Sequence, residues 1–313
     1  MRNAILLHPM AGKKHPILMV LLILFVVVLF LGGSMFFVLK LVGPSSTLSF
    51  DEKIGVVTIE GTIMQSRDIA SQVEQFKKDK RIKAILLRID SPGGAIGPTQ
   101  EIHREVVKAA KSKPVIASLG GVAASGGYYI AAAADKVVAN PGTITGSIGA
   151  LMQFVRIEEL LKKIGVSMEV LKSGEFKDIG SPHRDLTQRD RDIIEKLIGE
   201  IQHQFVEAVA GGRDLPIETV EAIADGRIFT GAQAKEMGLV DELGNFQDAV
   251  EIARKEARIE GDASLVYPRK KQRIWDSLFT SALRSFVSLL RQSEMRAEYR
   301  WNGLSAPGLR ENN

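Results

Sequence analysis

The sequence predicts a mainly parallel α/β fold carried behind one N-terminal membrane-spanning helix. Three observations predict it. From Ile54 onward, β-suited runs alternate with helical stretches at the spacing of crossover-connected parallel strands. Residues 17–39 form an uncharged run as long as a bilayer span. A third predicted strand, residues 114–119, breaks into Gly120-Gly121 and restarts as a small-residue helix by Tyr128, with Ser125 at the junction.

The span comes first. Residues 17–39 are 23 residues without a charge, and at ~1.5 Å per residue they cross a hydrocarbon core of ~30 Å. A cleaved secretory signal has a shorter apolar region, about 7 to 15 residues, followed by an A-x-A-like site. Gly32-Gly33-Ser34 matches such a site poorly, which favours an uncleaved anchor. In residues 1–16 Lys13 and Lys14 precede the span and only Lys40 follows closely, so the N-terminus is expected in the cytoplasm and the body outside the membrane. Residues 40–53, with a Pro/Ser stretch at 43–49, read as a linker.

The body, residues 54–260, is expected to begin with a strand at 54–63, a helix near 69–78 and a strand at 83–90. Ser91-Pro92-Gly93-Gly94 then opens a helix to about Lys111, followed by the strand at 114–119. Residues 136–139 suggest another strand, 142–149 a glycine-rich loop or short strand, 156–164 a helix, 167–171 an extended segment, and 186–211 a long helix. Short helices should fill most of 217–257. No internal repeat or low-complexity tract is visible.

At 313 residues the chain has room for a large core. Its net charge of +4 is unevenly spread: residues 1–40 carry +4, residues 268–313 carry nine Lys/Arg against four Asp/Glu, and the body between carries −5. An acidic body argues against nucleic acid, and basic ends suit anionic lipid. With no cysteine there is no disulfide, thiolate nucleophile or cysteine-bound metal. In the tail, residues 268–313, a helical winding puts Ile274, Trp275, Leu278, Phe279, Leu283, Phe286, Leu289 and Leu290 on one face and Arg273, Arg284 and Arg291 on the other. Such a helix either lies in a membrane interface or packs on the body or another subunit.

A serine in the first turn of a helix sits among unpaired N–H groups, and glycines at 126 and 127 let a peptide backbone approach. Ser125 is therefore either an N-cap or a nucleophile. A nucleophile needs a base. His8 and His15 precede the span, while His103, His183 and His203 read as residues of solvated faces. Ala123-Ala124-Ser125-Gly126-Gly127 also lacks the first glycine of the G-x-S-x-G elbow. A lysine can serve if burial lowers its pKa from ~10.4 to about 7 or 8, roughly 3 to 4 kcal/mol against the charged form. Lys172 and Lys177, in EVLKSGEFKDIGSP, both qualify by context.

Four motifs stand in order: Ser91-Pro92-Gly93-Gly94; AASGGYY around Ser125; Thr145-Gly146-Ser147-Ile148-Gly149; and Lys172-Ser173-Gly174 through Lys177-Asp178 to Ser181-Pro182. Together, over residues 54–257, they closely resemble the signal peptide peptidase A family of membrane serine peptidases. The resemblance implies a Clp protease/crotonase-like fold. It places the nucleophile on Ser125 and the general base on Lys177, with Lys172 a neighbour. The oxyanion N–H groups fall on Gly94, in preference to Gly93, and on Gly126. Losing one such donor typically costs about 2.7 to 4 kcal/mol. Ser91 and Ser147, in matching motifs but not at the nucleophile's position, are expected to be structural or to support the site from behind the reacting groups, and Asp90 to be a strand-end residue.

With one copy of the domain, the chain resembles the short form of that family. This implies a homo-oligomeric ring whose sites draw serine and lysine from different protomers, in the bacterial cytoplasmic membrane. The implied substrates are remnant signal peptides left in the bilayer. No metal or organic cofactor is indicated, and residues 142–149 lack the lysine of a phosphate-binding loop. The other readings are a related peptidase acting on a specific membrane protein, a crotonase-like acyl-CoA enzyme, and a non-catalytic membrane scaffold in which Ser125 is only a cap.

Overall fold

The computed structural model describes residues 16–42, 52–268 and 297–300. The chain forms two units, residues 1–50 and 51–313. In the first unit, α1 (Pro16–Val42) is one unbroken helix of 27 residues over the predicted span. Its side chains are described at 19–35 and at Phe37, and all are exposed. Among the residues whose side chains are described, no helix is long and apolar enough to cross a membrane. Of the predicted linker, residues 40–42 belong to the end of α1 and Lys53 opens the first strand; residues 43–51, like the amphipathic helix at 274–291, lie outside the described residues.

The second unit is built on an eight-stranded sheet. Its centre is parallel: β1 (Lys53–Glu60), β2 (Ile82–Ser91), β4 (Val115–Ala124) and β5 (Lys136–Ala139) lie side by side. β10 (Ser264–Val266) adds parallel to β1, and β9 (Glu242–Leu243) parallel to β5. β6 (Ile144–Gly146) continues beside the end of β4, and β8 (Ile228–Thr230) runs antiparallel to β6.

These strands are apolar on both faces because both faces are covered. Val57, Ile59, Ile85, Leu87, Ile89, Val115, Ala117, Leu119 and Val137 join one core cluster. That cluster includes residues of α2 (Arg67–Lys78), α3 (Ile96–Ala110), α4 (Gly126–Ala131) and α6 (Gln188–Arg213). Ile54, Val56, Ala84, Leu86, Ile116 and Val138, offset by one position, join a second cluster with Ala249 and Ala253 of α9 (Phe246–Glu256). The two-residue period thus sorts each strand between two helical layers. α7 (Ile217–Glu221) and α8 (Gly231–Glu236) complete the short helices predicted after α6.

The predicted break at Gly120-Gly121 is not one: β4 runs through both glycines to Ala124. The ladder shifts there, from Ile89 opposite Leu119 to Ser91 opposite Ala123. Asp90 fills the gap, its carboxylate accepting from the N–H groups of Gly121 (3.3 Å) and Val122 (3.1 Å). A side chain thus replaces the missing ladder bonds, and the strand survives.

A small second sheet has the order β3 (Gly93–Ala95), β11 (Ala297–Arg300), β7 (Leu151–Met152). The expected helix after Ser91 therefore starts only at Ile96, behind β3. Beyond β7, α5 (Glu158–Lys163) and a 3-10 turn (Glu175–Asp178) are the regular elements before α6. The segment at 167–171, read as extended, pairs with no strand among the described residues. From 151 through 189 not one residue is buried.

Candidate active site

Ser125 sits between the last residue of β4 and the first of α4 with φ 53° and ψ −121°. Positive φ is strained for any residue with a Cβ, and it turns the chain sharply from strand to helix. The side chain makes no capping hydrogen bond. Its N–H donates to the Gly146 carbonyl (2.8 Å) and its carbonyl accepts from Tyr129 (2.8 Å), so the backbone is tied on both sides. Ser125 is 1% exposed. The N-cap reading therefore fails on geometry. The elbow has formed without the first glycine of its usual motif; buried Ala123 stands in that place, paired to Ser91 and Thr145. Gly127, at the motif's other glycine, is needed: a Cβ there would lie 2.7 Å from the Ser91 carbonyl.

That contact brings the start of α4 against the turn leading into β3. Gly126 follows the serine as the first residue of α4, where the N–H has no intrahelical acceptor. Gly94 lies at the middle of β3, and a Cβ there would stand 2.1 Å from the Ile63 carbonyl. Ile63 takes the Gly93 carbonyl and the Ala95 N–H on one edge of β3, both at 2.8 Å. By strand alternation the N–H and carbonyl of Gly94 face the opposite edge. On that edge β11 runs antiparallel, with Tyr299 opposite Gly94 and Arg300 opposite Gly93. β11 pairs at its other edge with β7, Glu298 opposite Leu151.

Ser91 and Ser147 are buried. Ser91 Oγ donates to the Gly61 carbonyl (2.6 Å) and accepts from the Gly93 N–H (3.1 Å), shaping the turn before β3. The Ser147 N–H donates to the Arg227 carbonyl (2.8 Å). Asp90 is committed to the bulge in β4.

Lys177 lies in the 3-10 turn, exposed, and no hydrogen bond joins it to Ser125. The Lys172 amine is committed elsewhere, to Asp178 Oδ1 (2.7 Å) and the Glu175 carbonyl (2.9 Å). Arg184 grips Asp178 through Nε (3.1 Å) and Nη2 (2.9 Å) and reaches Asp190 Oδ2 through Nη1 (2.5 Å). The adjoining guanidinium and ammonium hold the Asp178 carboxyl well below the usual range, and Arg184 with the Thr187 N–H lowers Asp190 to about 2. The Thr187/Asp190 capping box was legible as T-x-x-D; the ion pairs joined to it carry no sequence period.

The histidines correct one expectation. His203 is exposed beside Glu207, but His103 is not on a solvated face. It packs edge-on against Tyr129 (centroids 4.8 Å apart), its Nε2 is buried without a partner, and burial lowers its pKa to about 4. His183 Nδ1 is buried too. Phe205 of α6 also packs on Tyr129 (centroids 4.8 Å apart). No histidine is hydrogen-bonded to Ser125 among the described residues. Nor do the described residues contain a cluster of His, Asp and Glu able to hold a metal.

Known proteins are similar to this chain in sequence. The profile of Peptidase family S49 matches residues 108–260, and that of Clp protease residues 47–144. A Synechocystis sp. protein provisionally named a protease is 43% identical over 212 residues, 67% of this chain and 76% of its own. A Methanocaldococcus jannaschii protein, also provisionally named a protease, is 36% identical over 267 residues, 80% of this chain and 86% of its own. The Enterococcus faecium protein provisionally named signal peptide peptidase SppA is 37% identical over 201 residues, 64% of this chain and 58% of its own. With its parallel sheet, its serine elbow and these relatives, the chain belongs to peptidase family S49, the signal peptide peptidase A family.

Proposed function

We propose that the chain is a membrane-anchored serine endopeptidase with a Ser125–Lys177 dyad, acting on remnant signal peptides in the bacterial cytoplasmic membrane. The observation that carries this reading is Ser125 itself, a strained residue whose side chain caps nothing. Strain of this kind persists where a fixed side-chain direction is needed.

Neutral Lys177 takes the proton of the Ser125 hydroxyl as the serine oxygen bonds to the scissile carbonyl carbon. The N–H groups of Gly94 and Gly126 hold the resulting oxyanion, worth about 2.7 to 4 kcal/mol for each donor. The lysine returns the proton to the leaving amine, and water, deprotonated the same way, releases the acyl group. The β3 edge that accepts β11 supports a peptide substrate, since an extended chain laid antiparallel there would put its carbonyls beside the Gly94 N–H.

A lysine base must be dry, and Lys177 is exposed within one chain. The segment around it also exposes Val155, Leu160, Ile164, Val166, Met168, Val170 and Leu171, the last 91% exposed. A patch of this kind suits a neighbouring copy, and in a ring that copy would deliver its lysine to the serine of the next protomer. α1 would confine the enzyme to the surface that holds its substrates.

The test is hydrolysis of an unstructured fluorogenic peptide by the full chain in detergent. Ser125→Ala and Lys177→Ala should each abolish cleavage, and mixing the two under subunit exchange should restore part of it. Cleavage by Lys177→Ala alone would refute the dyad; two dead variants that never complement would refute the shared site.

A further inference from the structure

The turn that carries Lys177 is tied down at each of its other three residues. Glu175 accepts two hydrogen bonds from Arg189 Nη1, at 2.7 and 2.9 Å. The Arg189 guanidinium also lies over the Phe176 ring, 5.1 Å from its centroid. Asp178 is held by Lys172 and, through two nitrogens, by Arg184. Arg184 in turn is anchored on Asp190, 1% exposed and locked in the capping box that starts α6. Of the four, Lys177 alone has no side-chain hydrogen bond, ion pair or cation–π contact among the described residues.

We infer that Arg184 is a positioning residue for the peptidase reaction. It fixes the Lys177 turn to the start of α6 and withholds the Asp178 carboxylate from the Lys177 amine. This rests on Lys177 being the base. Two carboxylates sit within two residues of that amine, and a carboxylate ion pair favours the charged form of a lysine, the form that cannot take a proton. Both are occupied by other cations, Glu175 by Arg189 and Asp178 by Lys172 and Arg184. His183 and Asp185 lie on the loop before α6. Asp185 is paired with Arg156. A bidentate guanidinium suits the task better than an amine, since its planar fork fixes the direction of the carboxylate as well as its charge.

The experiment compares Arg184→Gln, Arg184→Lys, Asp178→Asn and the double variant Arg184→Gln/Asp178→Asn. Peptide hydrolysis is followed from pH 6 to 10 alongside thermal unfolding, with Lys177→Ala as control. Arg184→Gln should lower kcat by roughly 10- to 100-fold with KM little changed, because the base is misplaced rather than the substrate track. It should also shift the rising limb of the pH profile upward by about one unit, as Asp178, still held by Lys172 on Oδ1, turns the Oδ2 that Arg184 released towards Lys177. Arg184→Lys should recover part of kcat. In the double variant the upward shift should vanish although kcat stays low.

A wild-type kcat and pH profile for Arg184→Gln overturns the inference. So does an upward shift that survives in the double variant, or a uniform loss at every pH that simply follows a lowered Tm. An active Lys177→Ala control would instead remove the dyad, and the positioning role with it; an inactive control beside an unchanged Arg184→Gln removes the positioning role alone.

Discussion

Ser125 shows what a single residue gives up for reactivity. Its φ of 53° is easy for glycine and costly for anything with a Cβ. Ser125→Gly should therefore raise stability by about 1 kcal/mol while ending hydrolysis, and Ser125→Ala should end hydrolysis without that gain. Urea unfolding of the three proteins checks this; equal midpoints for the glycine variant and the wild type would mean that the elbow stores no strain. The candidate nucleophile was legible from one junction, an apolar strand meeting a small-residue helix. Lys177 was not legible in that way, since a lysine in a polar loop looks like any other and only the ordered motifs around it singled it out. Arg184 carried no signal of its own, because its meaning depends on how the turn at 175–178 folds back on the start of α6.

Among the elements, α3, α4 and α6 meet at His103, Tyr129 and Phe205. Burial favours neutral His103, with a folded pKa of about 4 against an ordinary 6.5. The unfolded chain thus binds the proton first as pH falls. The stabilisation is full above about pH 6.5 and is lost progressively towards pH 4, on the order of 3 kcal/mol at most. His103→Phe, which keeps a ring against Tyr129, should flatten that dependence in urea unfolding at pH 7 and 4.5; an unchanged slope would assign the acid sensitivity elsewhere. Element by element, what could be read followed how much period each segment carries. The strand at 83–90 and the helix at 69–78 were legible because each is long enough to carry a repeated pattern of apolar residues. β3, β8, β10 and β11 have three or four residues each, too few for a period, and their pairing is set by what lies alongside. The glycines of β4 were misread for a physical reason: the group that mends the ladder, Asp90, comes from another strand.

Across the folded body, buried contact is divided unequally between the two halves of the proposed dyad. Ser125 follows β4, whose residues are buried on both faces of the sheet, while Lys177 belongs to a stretch, 151–189, without a buried residue. Local opening free energies follow such differences, from near zero in segments with few apolar contacts up to the global value in core strands. Amide hydrogen exchange should therefore show β2 and β4 opening only with global unfolding, and the amides of 153–180 exchanging at least about 100-fold faster. Equal protection in the isolated protomer would contradict the division. Adding subunits to form an oligomer should slow exchange in that stretch first. The serine would thus be ready as soon as the chain folds, whereas the lysine's half of the site would become rigid only in company, which ties the onset of hydrolysis to the concentration of the protein in its membrane.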